Sequence, residues 1–267
     1  MFPSLALGGG GVRGGLQVGA VAAIESVRGN LTFPGGVYGC SIGSIVATAI
    51  AFNLRASQIR EMFLHHFDLN KIVPPMRLSS VGDLLSKKGL FSMELMESKL
   101  IEAFESQNID LRDKKISDAH QKLYIVASNM TTQNTTIFSE NVRILDAIKC
   151  SSCLPLVFTP QVLYNQVYLD GGVFVKCISS VVPSDTLTIS ISFPPKGIFP
   201  QDIESLTVPS FIGRVYSSTN KTAPSRNTLH LQNDSVSILQ DLTPDDKEIL
   251  YSEGYSQTLA FLAKRTP

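Results

Sequence analysis

Apolar residues along the chain fall in short blocks that alternate between strand-like runs and helical spacing. "PSLALGGGG" is a short apolar run that ends in glycines, and residues 14–28 follow with Leu16, Val18, Val21, Ala22 and Ile24 apolar, a helix. Residues 35–39 predict a second strand and 42–53 a second helix, carrying Ile45, Val46, Ala49 and Ile50. A third helix is expected over 57–67, with Ser57 placed to cap it, and a fourth over 92–106. "KLYIVASNM" (122–130) predicts a buried strand, and 135–139 its hairpin partner. "RILDAIKCS" predicts a short helix stopped by Pro155, and "QVYLDGG" a strand running into glycines. Strands are also expected over 186–192 and around His230 in "TLHLQ", an irregular proline-rich stretch over 194–209, and a closing helix over 244–264. Strands alternating with helices imply an α/β sandwich with a largely parallel sheet. No internal repeat divides the 267 residues, so one domain is expected over 1–267.

Three of these strand ends carry candidate chemistry. In Gly39-Cys40-Ser41-Ile42-Gly43 a lone serine sits between two glycines where a strand becomes a helix. A nucleophilic serine needs such a sharp turn to hold its hydroxyl outward. Small neighbours remove the side chains that would clash there. A tight turn with a capping serine would show the same pattern. At the first turn, Gly8-Gly9-Gly10-Gly11-Val12-Arg13-Gly14 stacks backbone N–H groups at a helix start, a site for an anion. That anion is either a phosphate or the oxyanion of a tetrahedral intermediate. Gly9, Gly11 and Gly14 also fit the dinucleotide fingerprint, so a nucleotide-binding module is an alternative. The acidic residue expected about 20 positions on is missing, however, and Glu25 falls inside the helix. Asp170-Gly171-Gly172 closes a third strand and would place a carboxylate on the same sheet edge, although Asp-Gly is also a common turn dipeptide.

Composition narrows the field. Lys plus Arg and Asp plus Glu both number 23, so the formal net charge is zero and the basic excess of a nucleic-acid binder is missing. Hydrophobic residues make up 43% and charged residues 17%, a core-forming balance. Cys40, Cys150, Cys153 and Cys177 are too few for a disulfide scaffold. The lone Cys150-Ser151-Ser152-Cys153 pair reads as small buried thiols rather than half a zinc site. The sequence shows neither an EF-hand loop nor a histidine cluster, so neither metal nor cofactor is expected. "MFPSLALGGGG" lacks a signal peptide's basic segment and long apolar segment, and no run approaches the 18 apolar residues of a spanning helix. A cytoplasmic or membrane-peripheral location is therefore expected. "SKKGLF" reads as a solvated basic turn, with contact to a membrane interface as the alternative.

Taken in order, these motifs make the chain resemble the patatin-like phospholipases. Gly9-Gly10-Gly11-Val12-Arg13-Gly14 matches that family's glycine loop, residues 39–43 its GxSxG elbow, and Asp170-Gly171-Gly172 its carboxylate turn. "DAIKCSSCLPLVFTP" (146–160) and "KGLFSMELMESKL" resemble further family segments, so the likeness covers about residues 4–180. Gly8 before the loop and Lys176-Cys177-Ile178 after the carboxylate turn depart from the family pattern. The resemblance implies a three-layer α/β/α fold and a lipid acyl hydrolase of phospholipase A or lysophospholipase type. Its substrate would be met at a membrane or micelle surface. Ser41 would be the nucleophile and Asp170 the base of a Ser–Asp dyad. Backbone N–H groups of Gly10, Gly11 and Val12 would form the oxyanion hole, and Gly9, Arg13, Gly14, Gly39, Gly43, Gly171 and Gly172 would support it. Arg13 would either steady the loop or attract a phosphate head group. An aspartate's ordinary pKa of about 3.9 makes a weak base, which burial would raise. The alternative is a triad in the order Ser41, Asp170, His230, drawing on one of only four histidines, His65, His66, His120 and His230.

Overall fold

Ser4–Leu7 (β1) is buried on both faces, as a central parallel strand must be. In the computed structural model, which describes residues 2–68, 72–73, 78–192, 198–202, 204, 206, 211, 214–215, 226–236 and 239–265, β1 lies inside an eight-stranded sheet. A 3-10 turn, Gly11–Arg13, leads into α1 (Gly14–Arg28), and β2 (Gly36–Cys40) pairs parallel to β1. Next come α2 (Ile42–Ala51), α3 (Ala56–His66), α4 (Leu78–Lys87), the short β3 (Gly89–Phe91) and α5 (Glu94–Glu105). β4 (Leu123–Asn129) and β5 (Asn134–Phe138) form the expected hairpin, and α6 (Ile144–Ser152) follows. β6 (Leu156–Phe158) pairs with β3 in a separate two-stranded sheet. β7 (Gln161–Leu163) and β8 (Gln166–Asp170) form a second hairpin. β9 (Leu187–Ile191), β10 (Thr228–Leu231) and α7 (Pro244–Ala263) complete the order.

Five strands, β10-β9-β1-β2-β4, run parallel. The main core, with Leu5, Leu7, Val37 and Ile125 from the sheet, lies under the helices. On the opposite face Ala6, Tyr38, Cys40 and Val126 are covered by Val175 and Ile178 from the segment after β8. The α/β class with a largely parallel sheet is as expected. The departures are local. Ser57 does not cap α3, because the helix starts at Ala56 and Ser57 lies inside it; at that end Gln58 Oε1 accepts the Arg55 N–H and Glu25 Oε2 the Ala56 N–H, each at 3.0 Å. "SKKGLF" is not a plain solvated turn, for it ends α4 and enters β3, with Lys88 alone at φ +62° turning the chain. Of the irregular stretch 194–209, most falls outside the described residues, and Pro200–Asp202 is a single 3-10 turn.

α7 closes the molecule across α1. Its N-terminus is fixed by a reciprocal pair: Asp246 N–H donates to Thr243 Oγ1 at 3.1 Å and Thr243 N–H donates to Asp246 Oδ2 at 2.9 Å. The two helices meet backbone to backbone. A Cβ at Gly19 would lie 2.0 Å from the Tyr251 carbonyl oxygen, and one at Gly254 would lie 2.0 Å from that of Leu16. Backbone cannot give way as a side-chain tip can, so even a methyl must push the helices apart. Gly19→Ala is therefore expected to destabilise the fold by about 2–3 kcal/mol, read as a lower denaturant midpoint. A midpoint equal to wild type would contradict this packing.

Candidate active site

Ser41 occupies the turn between β2 and α2 at φ +54°, ψ −130°, a backbone conformation rarely adopted by a residue with a side chain. Strain of that kind costs of order 1–3 kcal/mol and persists only where the surroundings enforce it. They do so here. The Ser41 carbonyl accepts from Ser44 N–H at 2.8 Å and Ser44 Oγ at 2.6 Å, and the Ser41 N–H donates to Ser151 Oγ at 2.8 Å. The glycines on either side are required by contact. A Cβ at Gly43 would stand 2.2 Å from the Leu7 carbonyl oxygen, and one at Gly39 would stand 2.4 Å from Ser44 Cα.

Asp170 reaches Ser41 by a route that differs from the expected one. β8 is antiparallel to β4, so its end would ordinarily lie at the far edge of the sheet. However, β4 carries two partners along a single edge. β5 takes its other edge through residues 125–129, so β2 and β8 must share this one. β2 fills Leu123–Val126, with Cys40 opposite Val126, and β8 fills Ala127–Asn129, with Asp170 opposite Ala127. The two strands thus meet end to end, and their terminal residues oppose adjacent positions of β4. The chain must leave at once, since a Cβ at Gly171 would stand 2.5 Å from the Val126 carbonyl oxygen and 2.7 Å from Cys40 Sγ.

The Asp170 carboxylate is 5% exposed, accepts the Gly172 N–H at 2.9 Å and has the Ser41 side chain beside it, which favours its charged form. Burial raises its pKa from 3.8 to about 6, against the opposing pull of Ser41, the Gly172 N–H and the Lys176 charge. A carboxyl of that pKa is ionised at neutral pH yet far more basic than an ordinary aspartate. Burial also pushes the neighbouring Cys40 thiol well above 9.0, helped by the Asp170 charge, so this sulfur stays protonated.

The glycine loop faces the same point. A Cβ on Gly9 would lie 3.3 Å from Ser41 Cβ, and one on Gly10 would strike Ile191 Cδ1 at 2.2 Å. Gly11 takes φ +56°, and Gln17, wholly buried on α1, donates Nε2–H to the Gly8 carbonyl at 2.6 Å. Among the described residues nothing accepts from the N–H groups of Gly10, Gly11 or Val12. Arg13 does not line the cavity. It is 5% exposed, and its guanidinium donates to the carbonyls of Val236 at 2.6 Å and Ser192 at 3.2 Å. It ties the loop to the end of β9 and the segment after β10. A Cβ at Gly14 would press Ile42 Cγ1 at 2.4 Å, so the loop and the elbow are packed against each other.

Ser41, Asp170 and residues 8–12 line one cavity of about 160 Å³. Its walls are mainly apolar, with Ile42, Phe63, Met96, Leu100 and Phe158 among them, and Lys99, Lys176 and His66 supply the basic groups. Among the described residues no set of three or more His, Cys, Asp or Glu could hold a metal ion. A model of the patatin-like phospholipase family matches residues 5–183. The chain belongs to that family. This patatin-like chain is 27% identical over 176 residues to an uncharacterised protein, R571, of Acanthamoeba polyphaga mimivirus, covering 63% of this chain and 57% of that protein. It is 28% identical over 182 residues to a probable lipid hydrolase, 463L, of Invertebrate iridescent virus 6, covering 65% and 60%. The alignments therefore span less than two thirds of either relative. The patatin-like fold is similar to that of VipD from Legionella pneumophila, with a TM-score of 0.58 at 16% identity over 98% of this chain and 67% of that one. The type III effector protein ExoU gives 0.51 at 14% identity over 98% and 53%.

Within this patatin-like site the motif residues expected from the sequence come together, with Arg13 behind the loop. His230 does not join them: it lies on β10, three strand spacings from β2, about 14 Å at ~4.8 Å per strand. Ser151 and Gln17 were not anticipated. Gln17 carried a faint signal, one amide in an otherwise apolar helix, whereas Ser151 was hidden between two cysteines that drew the attention. The buried carboxylate also has a cost. An unfolded aspartate loses its proton near pH 3.8 and the folded one near 6, so this group's contribution to stability is greatest below 3.8 and is lost as pH rises through about 6. Asp170→Asn is free of that loss. It is expected to be more stable than wild type by about 1–3 kcal/mol at pH 8, with the gain gone at pH 4, as measured by denaturant unfolding at both pH values. A variant less stable at pH 8 would contradict the assignment.

Proposed function

We propose that this chain hydrolyses carboxylic esters of lipids, in the manner of a phospholipase A or lysophospholipase, through a Ser41–Asp170 dyad. The observation that carries this reading is a serine side chain beside a buried carboxylate, both lining one apolar cavity. The family membership and the probable lipid hydrolase among its relatives agree with it. Ser41 Oγ attacks the ester carbonyl while Asp170 takes its proton. The oxyanion is met by the free N–H groups of Gly10, Gly11 and Val12. Collapse of this intermediate expels the alcohol, which leaves with the proton from Asp170. Asp170 then deprotonates a water that attacks the acyl-enzyme, and the fatty acid departs as Ser41 regains its proton. The apolar walls suit an acyl chain, and no step calls for a metal or a cofactor. Among the described residues no helix is long and apolar enough to cross a membrane.

The triad reading is disfavoured by the distance to His230, and a nucleotide-binding loop leaves the Ser41–Asp170 contact without a purpose. Ser41→Ala should abolish ester hydrolysis and labelling by a fluorophosphonate. Asp170→Asn should lower kcat by at least about 10²–10⁴, while His230→Ala stays within a few-fold of wild type. Full activity in Ser41→Ala, or a folded His230→Ala as inactive as Ser41→Ala, would overturn the dyad.

Lys176, one of the departures from the family pattern, now has a role. Its charge lowers the pKa of Asp170, and removing it should raise that pKa further. Because the ionised carboxylate is the base, the acid limb of kcat/KM is expected near pH 6 in wild type and should move to higher pH in Lys176→Met. An unmoved limb would show that Lys176 does not act on the carboxylate.

A further inference from the structure

The C-terminal end of α6 holds both members of the proposed dyad from behind. Ser151 is fully buried, and its hydroxyl is used twice: Oγ accepts the Ser41 N–H at 2.8 Å and donates to the Val126 carbonyl at 2.6 Å. A hydroxyl has a single proton, so with that proton committed to Val126 a lone pair is left facing Ser41. Two residues on, the Cys153 carbonyl accepts the Asp170 N–H at 3.0 Å, and Cys153 Sγ donates to the Tyr168 carbonyl at 3.2 Å. Val126 is the residue of β4 that opposes Cys40, at the point where β2 gives way to β8. The segment 151–153 therefore grips β4, the elbow and the carboxylate strand at their meeting place.

The Ser41 N–H precedes the first turn of α2 and has no helical partner of its own. Without Ser151 Oγ this donor would lose its partner at a part-buried position, a costly state. The strained Ser41 backbone could relieve it by rotating toward an ordinary conformation, which carries Oγ away from Asp170. We propose that Ser151 is a positioning residue that fixes the backbone of Ser41 and so keeps its hydroxyl on the Asp170 carboxylate. The CxxC spacing in this segment then matters for what lies between the thiols. The proposal rests on Ser41 as nucleophile and Asp170 as base.

Inactivation by a fluorophosphonate tests it without knowledge of the natural lipid, because Ser41 Oγ would displace fluoride from phosphorus as its proton passes to Asp170. Ser151→Ala should lower the maximal inactivation rate about 10–100-fold, the scale of a misplacement near 1 Å. The concentration for half-maximal rate should stay within two-fold of wild type. The acid limb of the rate should move to higher pH, since a displaced Ser41 no longer holds the Asp170 pKa down. Ser151→Cys, close in size but a poorer acceptor, should show the same changes in smaller measure, and it stands alone if the alanine variant does not fold. A folded variant with wild-type inactivation, or a slowed one whose acid limb has not moved, overturns the positioning role. Ser41→Ala separates the two levels: if it still reacts at the wild-type rate, the dyad itself is wrong, and if it does not react while both Ser151 variants behave as wild type, only the clamp is.

Discussion

Everything in the site depends on how one edge of β4 is divided. Strands normally pair along their length, and an antiparallel neighbour brings its C-terminus to the opposite edge of the sheet from a parallel one. Here β2 and β8 occupy successive halves of the same edge, so a parallel and an antiparallel strand stop against each other. Their last residues, Cys40 and Asp170, thereby become neighbours although 130 positions separate them in sequence. The serine follows one strand and the carboxylate ends the other. No loop has to reach across the sheet to join them, and the regular hydrogen-bond ladder fixes the separation.

That arrangement concentrates unfavourable terms in a small volume. A carboxylate is taken out of water, a serine is held with a left-handed φ, and loop and elbow approach each other without room for a Cβ at Gly14 or Gly43. The surrounding core compensates, with wholly buried residues such as Leu5, Leu7, Ile50 and Ile125 in the elements that carry the site. Pre-organised donors and a base of suitable pKa lower a barrier only if they are already in place when substrate arrives. The fold therefore holds the strain permanently.

Local motifs and the β4–β5 hairpin were legible in the sequence; the pairing of β8 was not. The glycine loop, the elbow and the Asp-Gly-Gly turn could be read because each is a contiguous backbone requirement, and alternation of apolar runs gave the parallel strands and the class of fold. The direction of β8 could not be read, because "QVYLD" looks alike in either sense and its register is set by where β2 ends. β3, β6 and β7 have three residues each, too few for a period to show. α4 was overlooked although Leu78, Val81, Leu84 and Leu85 have helical spacing. The Ser57 cap failed because the helix begins before it, with the Ile59 N–H already paired to the Arg55 carbonyl. Arg13 looks like an anion ligand in a motif, and only burial against two carbonyls shows what it touches.

The backbone contact of α1 with α7 has a bearing on how the molecule is made. α1 leaves the ribosome before α7, which follows every described strand of the sheet, and the parallel strands β9 and β10 must also be in hand before the sheet is complete. Until then the glycine-lined face of α1 has no partner. Such long-range pairing is slow and leaves apolar surface open to wrong association. A shortened product lacking 244–263 would expose the groove on α1 and become a target for proteolysis rather than a smaller enzyme.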